Sequence, residues 1–262
     1  MKILFIGDVF SEVGRLAIKK QLPILRQELK LDFVIANVEN ASHGKGVTPR
    51  TIEELQGYGV NAFTSGNHIW DQKEIIPFIS RTKLLTRPAN YSPDAPGQGS
   101  LIFEVYSGVK IAVINVEGQR FMPAMNDSLF RAVDREIDRW RGQADIYFVD
   151  VHAETTSEKR MMAWYLDGRV AAVVGTHTHV QTADEEILPK GTAFLTDAGM
   201  TGPYDSVIGL QKEIATTKMV KQMPAQFHPA TNDVRFCAVM IEIDESKGIA
   251  TSIKRIQQKV VL

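Results

Sequence analysis

Eight side chains able to bind a metal or move a proton follow short apolar runs: Asp8, Glu39, Asn40, Asn67, His68, His152, His177 and His179. Each alone has an ordinary explanation. An aspartate after a strand is usually a turn or cap residue, because its carboxylate bonds nearby backbone N–H groups. A single histidine such as His152 is more often structural or merely exposed. The joint pattern points elsewhere: carboxylates and neutral imidazoles gathered at one edge of a sheet make a site suited to Mn, Fe or Zn. His177-Thr178-His179 sharpens the signal, since alternate residues of an extended segment point the same way and present two imidazoles to one cluster. Gly66-Asn67-His68 adds a tight turn that lets adjacent amide and imidazole side chains approach one pocket.

The elements that must position these groups are legible as an alternation of apolar runs. Ile3 to Ile6 reads as a buried strand delivering Asp8, and Phe33 to Ala36 as one delivering Asn37, Glu39 and Asn40. Val60 to Thr64 leads to Asn67 and His68, Ile146 to Val151 to His152, and Val170 to Val174 to His177 and His179. Between the first two runs, Ile18, Leu22, Leu25 and Leu29 recur at helical spacing, and Pro23 predicts a kink or restart there. Thr48-Pro49 predicts an N-cap with proline at the first helical position, the helix stopping near Gly57 and Gly59. Phe130, Val133, Ile137 and Trp140 predict an amphipathic helix. Leu101 to Tyr106 and Lys110 to Asn115 read as strands after a loop rich in proline and glycine. Toward the C-terminus Thr192 to Thr196, Arg235 to Ile243 and Ile249 to Gln257 are strand-like, the last two forming a closing hairpin, and this tail suggests a second sheet packed on the first. The fold class expected is α/β, with ligands at strand C-termini.

Composition narrows the function classes. A chain of 262 residues with 44% hydrophobic and 23% charged residues is that of a globular protein, expected here as one domain over residues 1–262. A formal net charge of -1 argues against a nucleic-acid coat, so no stable DNA binding is expected, while a small anionic ligand stays open. Cys237 is the sole cysteine, so any metal is held through nitrogen and oxygen, as suits a reducing compartment. Neither a signal peptide nor an apolar stretch of about 20 residues is present, so a cytoplasmic protein without membrane attachment is expected.

Gly7-Asp8, Gly66-Asn67-His68, His152 and Gly175-Thr176-His177-Thr178-His179, in that order, resemble the motifs of the calcineurin-like metallophosphoesterases. Two departures stand out: Val9-Phe10 follows Asp8 where that superfamily has Asp-x-His, and Asn37-Val38-Glu39-Asn40 occupies the place of its Gly-Asp motif. Both, with His152-Ala153-Glu154 and the stretch from Thr196 to Asp205, resemble the bacterial YmdB-type subfamily. The resemblance implies a sandwich of two mixed β-sheets flanked by helices that holds two metal ions, iron with manganese as the alternative. It implies Glu39 as the bridging carboxylate and Asn40 in place of the absent histidine. One metal would take Asp8, Glu39, Asn40 and His179, and the other Glu39, Asn67, His152 and His177, leaving His68 for catalysis. A carboxylate suits the bridge because it offers two anionic oxygens, and an imidazole free of metal can protonate a leaving alkoxide near neutral pH.

The same likeness implies a phosphodiesterase acting on 2′,3′-cyclic nucleotides, phosphomonoesterase activity beside it, a homo-oligomer and a part in bacterial gene regulation. Two rival functions are a dinuclear hydrolase of amides or carboxylic esters and a non-catalytic nucleotide-binding regulator. His43 and Lys45 read either as a solvated loop or as phosphate contacts, the former preferred, and Gly44-x-Gly46 falls short of any nucleotide-binding fingerprint. His228 reads as structural, Thr178 and Asp205 as groups that could orient ligands, and the loop from Thr86 to Gly99 as either a cap on the site or a subunit contact.

Overall fold

The computed structural model describes residues 1–262 apart from Ser107 and Met125. Its central parallel strands are short and apolar on both faces, the pattern of strands covered from both sides. In chain order the elements are β1 (Lys2–Ile6), α1 (Ser11–Leu29), β2 (Phe33–Asn37), α2 (Pro49–Gly57), β3 (Ala62–Thr64) and α3 (Ile75–Ile79). There follow β4 (Ser100–Tyr106), β5 (Val109–Glu117), α4 (Leu129–Trp140), β6 (Ile146–His152), α5 (Thr156–Leu166) and β7 (Ala172–Thr176). The chain ends with β8 (Glu186–Ile187), β9 (Ala193–Leu195), β10 (Gly202–Pro203), α6 (Lys212–Met219), β11 (Val234–Asp244) and β12 (Ile249–Lys259).

Two mixed sheets result. In the first, β1, β2 and β3 run parallel, β11 is antiparallel to β1, and β10 and β12 pair with β11. In the second, of order β4-β5-β6-β7-β9-β8, the four central strands are parallel and the outer two antiparallel. The period-two alternation of each strand then decides what packs where. Ile3, Phe5, Phe33 and Ile35 face Val113, Ile146, Phe148 and Val174 across the space between the sheets. Phe5 and Phe148 meet there with ring centroids 5.0 Å apart. Leu4, Ile6 and Val34 turn outward onto Ile18, Leu22 and Leu25 of α1 and Ile52 and Leu55 of α2. On the opposite side Val149 and Val151 meet Val133 and Ile137 of α4 and Met162 and Leu166 of α5. The layers are helix, sheet, sheet, helix, the expected α/β sandwich.

Two expectations are corrected. Helix α1 runs through Pro23 as one helix, so the restart does not occur. Proline removes one hydrogen bond and frees the carbonyl four residues earlier, but Pro23 and Lys19 both lie on the solvent side, where water satisfies that carbonyl, while Ile18, Leu22 and Leu25 stay buried. The C-terminal hairpin forms as expected, with Gly248 at φ 65, yet it extends the first sheet beside β1, and the second sheet comes from the middle of the chain. The caps agree with the sequence: Thr48 Oγ1 accepts from the Thr51 N–H at 3.3 Å, with Pro49 opening α2. Among the described residues no helix is long and apolar enough to cross a membrane.

Candidate metal centre

The parallel strands of both sheets end at one rim, and the chemistry divides between them. From the first sheet β1 delivers Asp8, β2 delivers Glu39 and Asn40, and β3 delivers Asn67 and His68. From the second, β6 ends on His152 and β7 leads to His177 and His179. The first sheet thus supplies the carboxylates and amides, and the second supplies three imidazoles.

All eight sequence-derived residues belong to this rim. His152 Nε2 stands 3.0 Å from Glu39 Oε2, 3.1 Å from Asn67 Oδ1 and 3.0 Å from His177 Nδ1. Asn40 Nδ2 lies 2.9 Å from Glu39 Oε1 and 3.1 Å from His179 Nε2, and a half-turn of the amide would offer Oδ1 instead. Two groups are each close enough to hold a cation: Glu39, His152 and His177, with ligand atoms within 4.8 Å of one another, and Asp8, Glu39 and His179, likewise within 4.8 Å. Glu39 belongs to both. At Gly66, any Cβ would overlap the His152 ring and the Glu39 carboxylate, so the turn beside Asn67 admits only glycine.

The donor set fits divalent cations of the nitrogen and oxygen class. Thr176 donates to Asp150 Oδ1 at 2.7 Å, so its oxygen accepts from His152 Nδ1 at 2.9 Å and Nε2 is left as a lone pair facing other acceptors. His177 Nε2 faces Glu154 Oε2 at 3.2 Å, and His179 Nδ1 donates to the Ile208 carbonyl at 2.9 Å, so the remaining nitrogen of each ring also points inward as an acceptor. Such outer partners fix the tautomer of a metal-binding imidazole. Asp8 Oδ1 is buried and has no hydrogen-bond partner among the described residues. Converging lone pairs with too few protons between them are what a cation resolves.

The electrostatics of the metal-free cluster agree. Burial would raise the Glu39 carboxyl, but His152, His68 and His177 outweigh it and hold the group well below the usual carboxylate range. Burial, with help from Glu39 and Asp197, pushes Asp8 well above its ordinary value. Burial would lower His152, yet Glu39, Asp8 and Asp150 carry it up to about 9. His177 falls to about 3 through burial and the neighbouring His152, and burial lowers His179 as well. Without a cation, one proton shared with His152 takes part of its place.

Several supporting residues were not singled out from sequence. Asp150, wholly buried, accepts from Thr64, Thr176 and Asn37 and locks three strand ends together. Asp197, also buried, pairs with the buried Lys159 at 2.8 Å and accepts from the N–H and hydroxyl of Thr178. That bracing holds His177 at φ 101 and His179 at φ 65, conformations costly for any residue but glycine. Asp71 Oδ2 meets His68 Nδ1 at 2.9 Å, one helical turn along the chain, a spacing that could have revealed it. Asp197 follows an apolar run just as Asp8 does, and the same rule would have found it.

The remaining expectations fall out separately. Thr178 does brace the site through Asp197, whereas Asp205 pairs with Lys212 at 2.5 Å away from the cluster. His43 is exposed, and Lys45 stands with Nζ 5.4 Å from the Phe227 ring centroid. His228 is exposed, its carbonyl accepting from the Gln211 N–H at 3.3 Å. The loop from Thr86 to Gly99 is tied by Arg87, whose guanidinium donates to the carbonyls of Pro88, Ser92, Ala95 and Pro96, and its Tyr91 stands 6.5 Å from Trp70.

A cavity of about 390 Å³ opens above the rim, with Glu39, Asn40, His68, His177 and His179 as its floor. The family model for YmdB-like proteins matches residues 4–256. The 2′,3′-cyclic-nucleotide 2′-phosphodiesterase of Bacillus subtilis (strain 168) is 45% identical over 256 residues, covering 98% of this chain and 96% of that protein. Among solved structures, a hypothetical protein from Thermus thermophilus has a TM-score of 0.92 at 41% identity, covering 99% of both chains. A novel phosphatase from Mycoplasma pneumoniae also reaches 0.92, at 36% identity, covering 99% of this chain and 93% of the other.

Proposed function

The chain belongs to the YmdB-like family, and from that premise we propose that it hydrolyses 2′,3′-cyclic nucleotides at a two-metal centre bridged by Glu39. It is a hydrolase of the phosphodiesterase and phosphatase kind; the metal pair, the cyclic nucleotide and the residue roles are the proposal. The observation that carries it is the sharing of Glu39 between two sets of candidate ligands. Asp8, Glu39, Asn40 and His179 would hold one ion, and Glu39, Asn67, His152 and His177 the other, with iron the expected metal and manganese the alternative. When bound, the pair supplies charge neutralisation for phosphoryl oxygens and activation of water for in-line attack. The family likeness also supports a homo-oligomer.

The chain's own groups supply the rest. His68 lines the cavity without belonging to either ligand set, and Asp71 holds its Nδ1, leaving Nε2 for the substrate. A protonated Nε2 can donate to the departing ribose O2′, so that opening the cyclic ester leaves a 3′-phosphate. Lys45, at the cavity's side, adds a positive charge where the anionic substrate enters.

The test is hydrolysis of 2′,3′-cyclic AMP by protein loaded with Mn or ferrous iron, beside chelator-treated protein and His68→Ala. Metal-dependent release of adenosine 3′-phosphate, lost in the variant, is expected. Full metal occupancy with no turnover would contradict it.

A further inference from the structure

The cavity is larger than a phosphoryl group needs, and its far side differs in kind from its floor. Phe10, Phe227, Ile208, Met219, Val207 and Leu210 form that side, an apolar wall continuous with the rim of carboxylates and imidazoles. Ile208 is 58% and Met219 73% exposed, so large apolar side chains stand in water beside a charged centre. Clustered exposure of this sort marks a binding surface. The wall is joined to the floor by Phe10, whose ring meets His179 edge-on with centroids 5.7 Å apart and Phe227 at 6.4 Å. Gly44 and Gly209, both at positive φ, lie against these rings where a Cβ would strike Phe10, so the two loops carrying them close tightly around the aromatics.

We infer that this wall is a nucleobase subsite that holds the base by stacking and reads none of its edges. The inference rests on the phosphodiesterase reading and adds to it the part of the substrate that does not react. A base is flat, aromatic and apolar on its faces, and stacking on aromatic side chains tolerates any base because each has a π-face. The wall's side chains offer no hydrogen-bonding group, and the polar groups beside it have partners: the Ile208 carbonyl pairs with His179, the Thr178 hydroxyl with Asp197, and Glu154 Oε2 with His177. Lys45 is the one lysine or arginine among the described lining residues, and its ammonium stands 5.4 Å from the Phe227 ring centroid, where it can attract an anionic substrate without selecting a base. Discrimination among bases needs paired donors and acceptors that would be left unsatisfied by the wrong edge.

The experiment compares kcat and KM for the 2′,3′-cyclic phosphates of adenosine, guanosine, cytidine and uridine with those for glycerol 1,2-cyclic phosphate, which carries the same reacting ring and no base. Wild-type protein, Phe227→Ala and Phe227→Trp are measured, with thermal melts to confirm folding. The four nucleotides are expected to agree in kcat/KM within about fivefold and to have KM values about tenfold or more below that of the glycerol ester, the scale of one stacked base. Phe227→Ala should raise the nucleotide KM values about tenfold, erasing most of that gap, and Phe227→Trp should preserve it. Equal KM values with and without a base would overturn the subsite while leaving the phosphodiesterase reading intact, as would a preference of about a hundredfold for one base. Turnover of none of the five esters by metal-loaded protein would remove the phosphodiesterase reading and the subsite together. The wild-type series decides the matter even if Phe227→Ala fails to fold.

Discussion

The floor of the cavity rests on strand ends: Glu39, and Asp8 and His152 beneath it, are buried, and each is held by partners from other strands. Its far wall comes from Phe10, from the loops around residues 206–228 and from α6, with Ile208 and Met219 standing mostly in water. The floor pays for its order with buried charge, positive φ at two histidines and an unpartnered carboxylate oxygen. Those features are tolerated because two packed sheets fix the rim from below. The wall buries no charged side chain and is packed chiefly through apolar contact, its one strained non-glycine residue being Ile208 at φ 47. Reaction chemistry and substrate grip are therefore separable in this molecule, and substitutions on the two sides should differ in kind.

Glu39→Ala gives the largest effect, loss of both metals and of turnover to background, because it removes a ligand from each group; metal content per chain together with the rate of 2′,3′-cyclic AMP hydrolysis checks it. His68→Ala lowers kcat by about 10²- to 10⁴-fold while metal content stays at the wild-type level, separating proton donation from site assembly. Metal loss from that variant would merge the two roles. Lys159→Met strands the buried Asp197 carboxylate and destabilises the fold by about 3–5 kcal/mol, read from urea unfolding. Asp71→Asn loosens His68 and lowers kcat roughly tenfold with KM unchanged. Met219→Ser, on the exposed wall, leaves the melting temperature, metal content and kcat unchanged and raises the nucleotide KM about two- to threefold. A wall substitution that cost metal, or a floor substitution that changed only KM, would break the division.

The sequence carried the floor well and the wall hardly at all, for a physical reason. Floor residues follow apolar runs whose length and β-branched content mark strands, and parallel strands sharing a sheet must bring their ends to one edge. Asp8, Glu39, His152 and His177 were thus legible by position as well as type, and the family likeness grouped them. Phe227 sits in a loop with no periodicity, where nothing local says that it faces Phe10, more than 200 residues away. Asp150 and Lys159 were hidden differently: Asp150 lies inside an apolar strand, Lys159 in a charged stretch that reads as a solvated helix start, and both act through partners far along the chain. The helix-breaking rule for Pro23 is local and takes no account of which face of α1 meets solvent, and the sequence around Asp205 does not show that its carboxylate turns to Lys212 instead of the rim.

An anomalous-difference map from crystals of the manganese-loaded protein would show whether Glu39 bridges two cations between the sheets. Two peaks about 3.5–4 Å apart are expected on either side of the Glu39 carboxylate, one in contact with Asp8 and His179 and the other with His152 and His177. A single peak, or peaks bound elsewhere while Glu39 contacts none, would contradict the bridge.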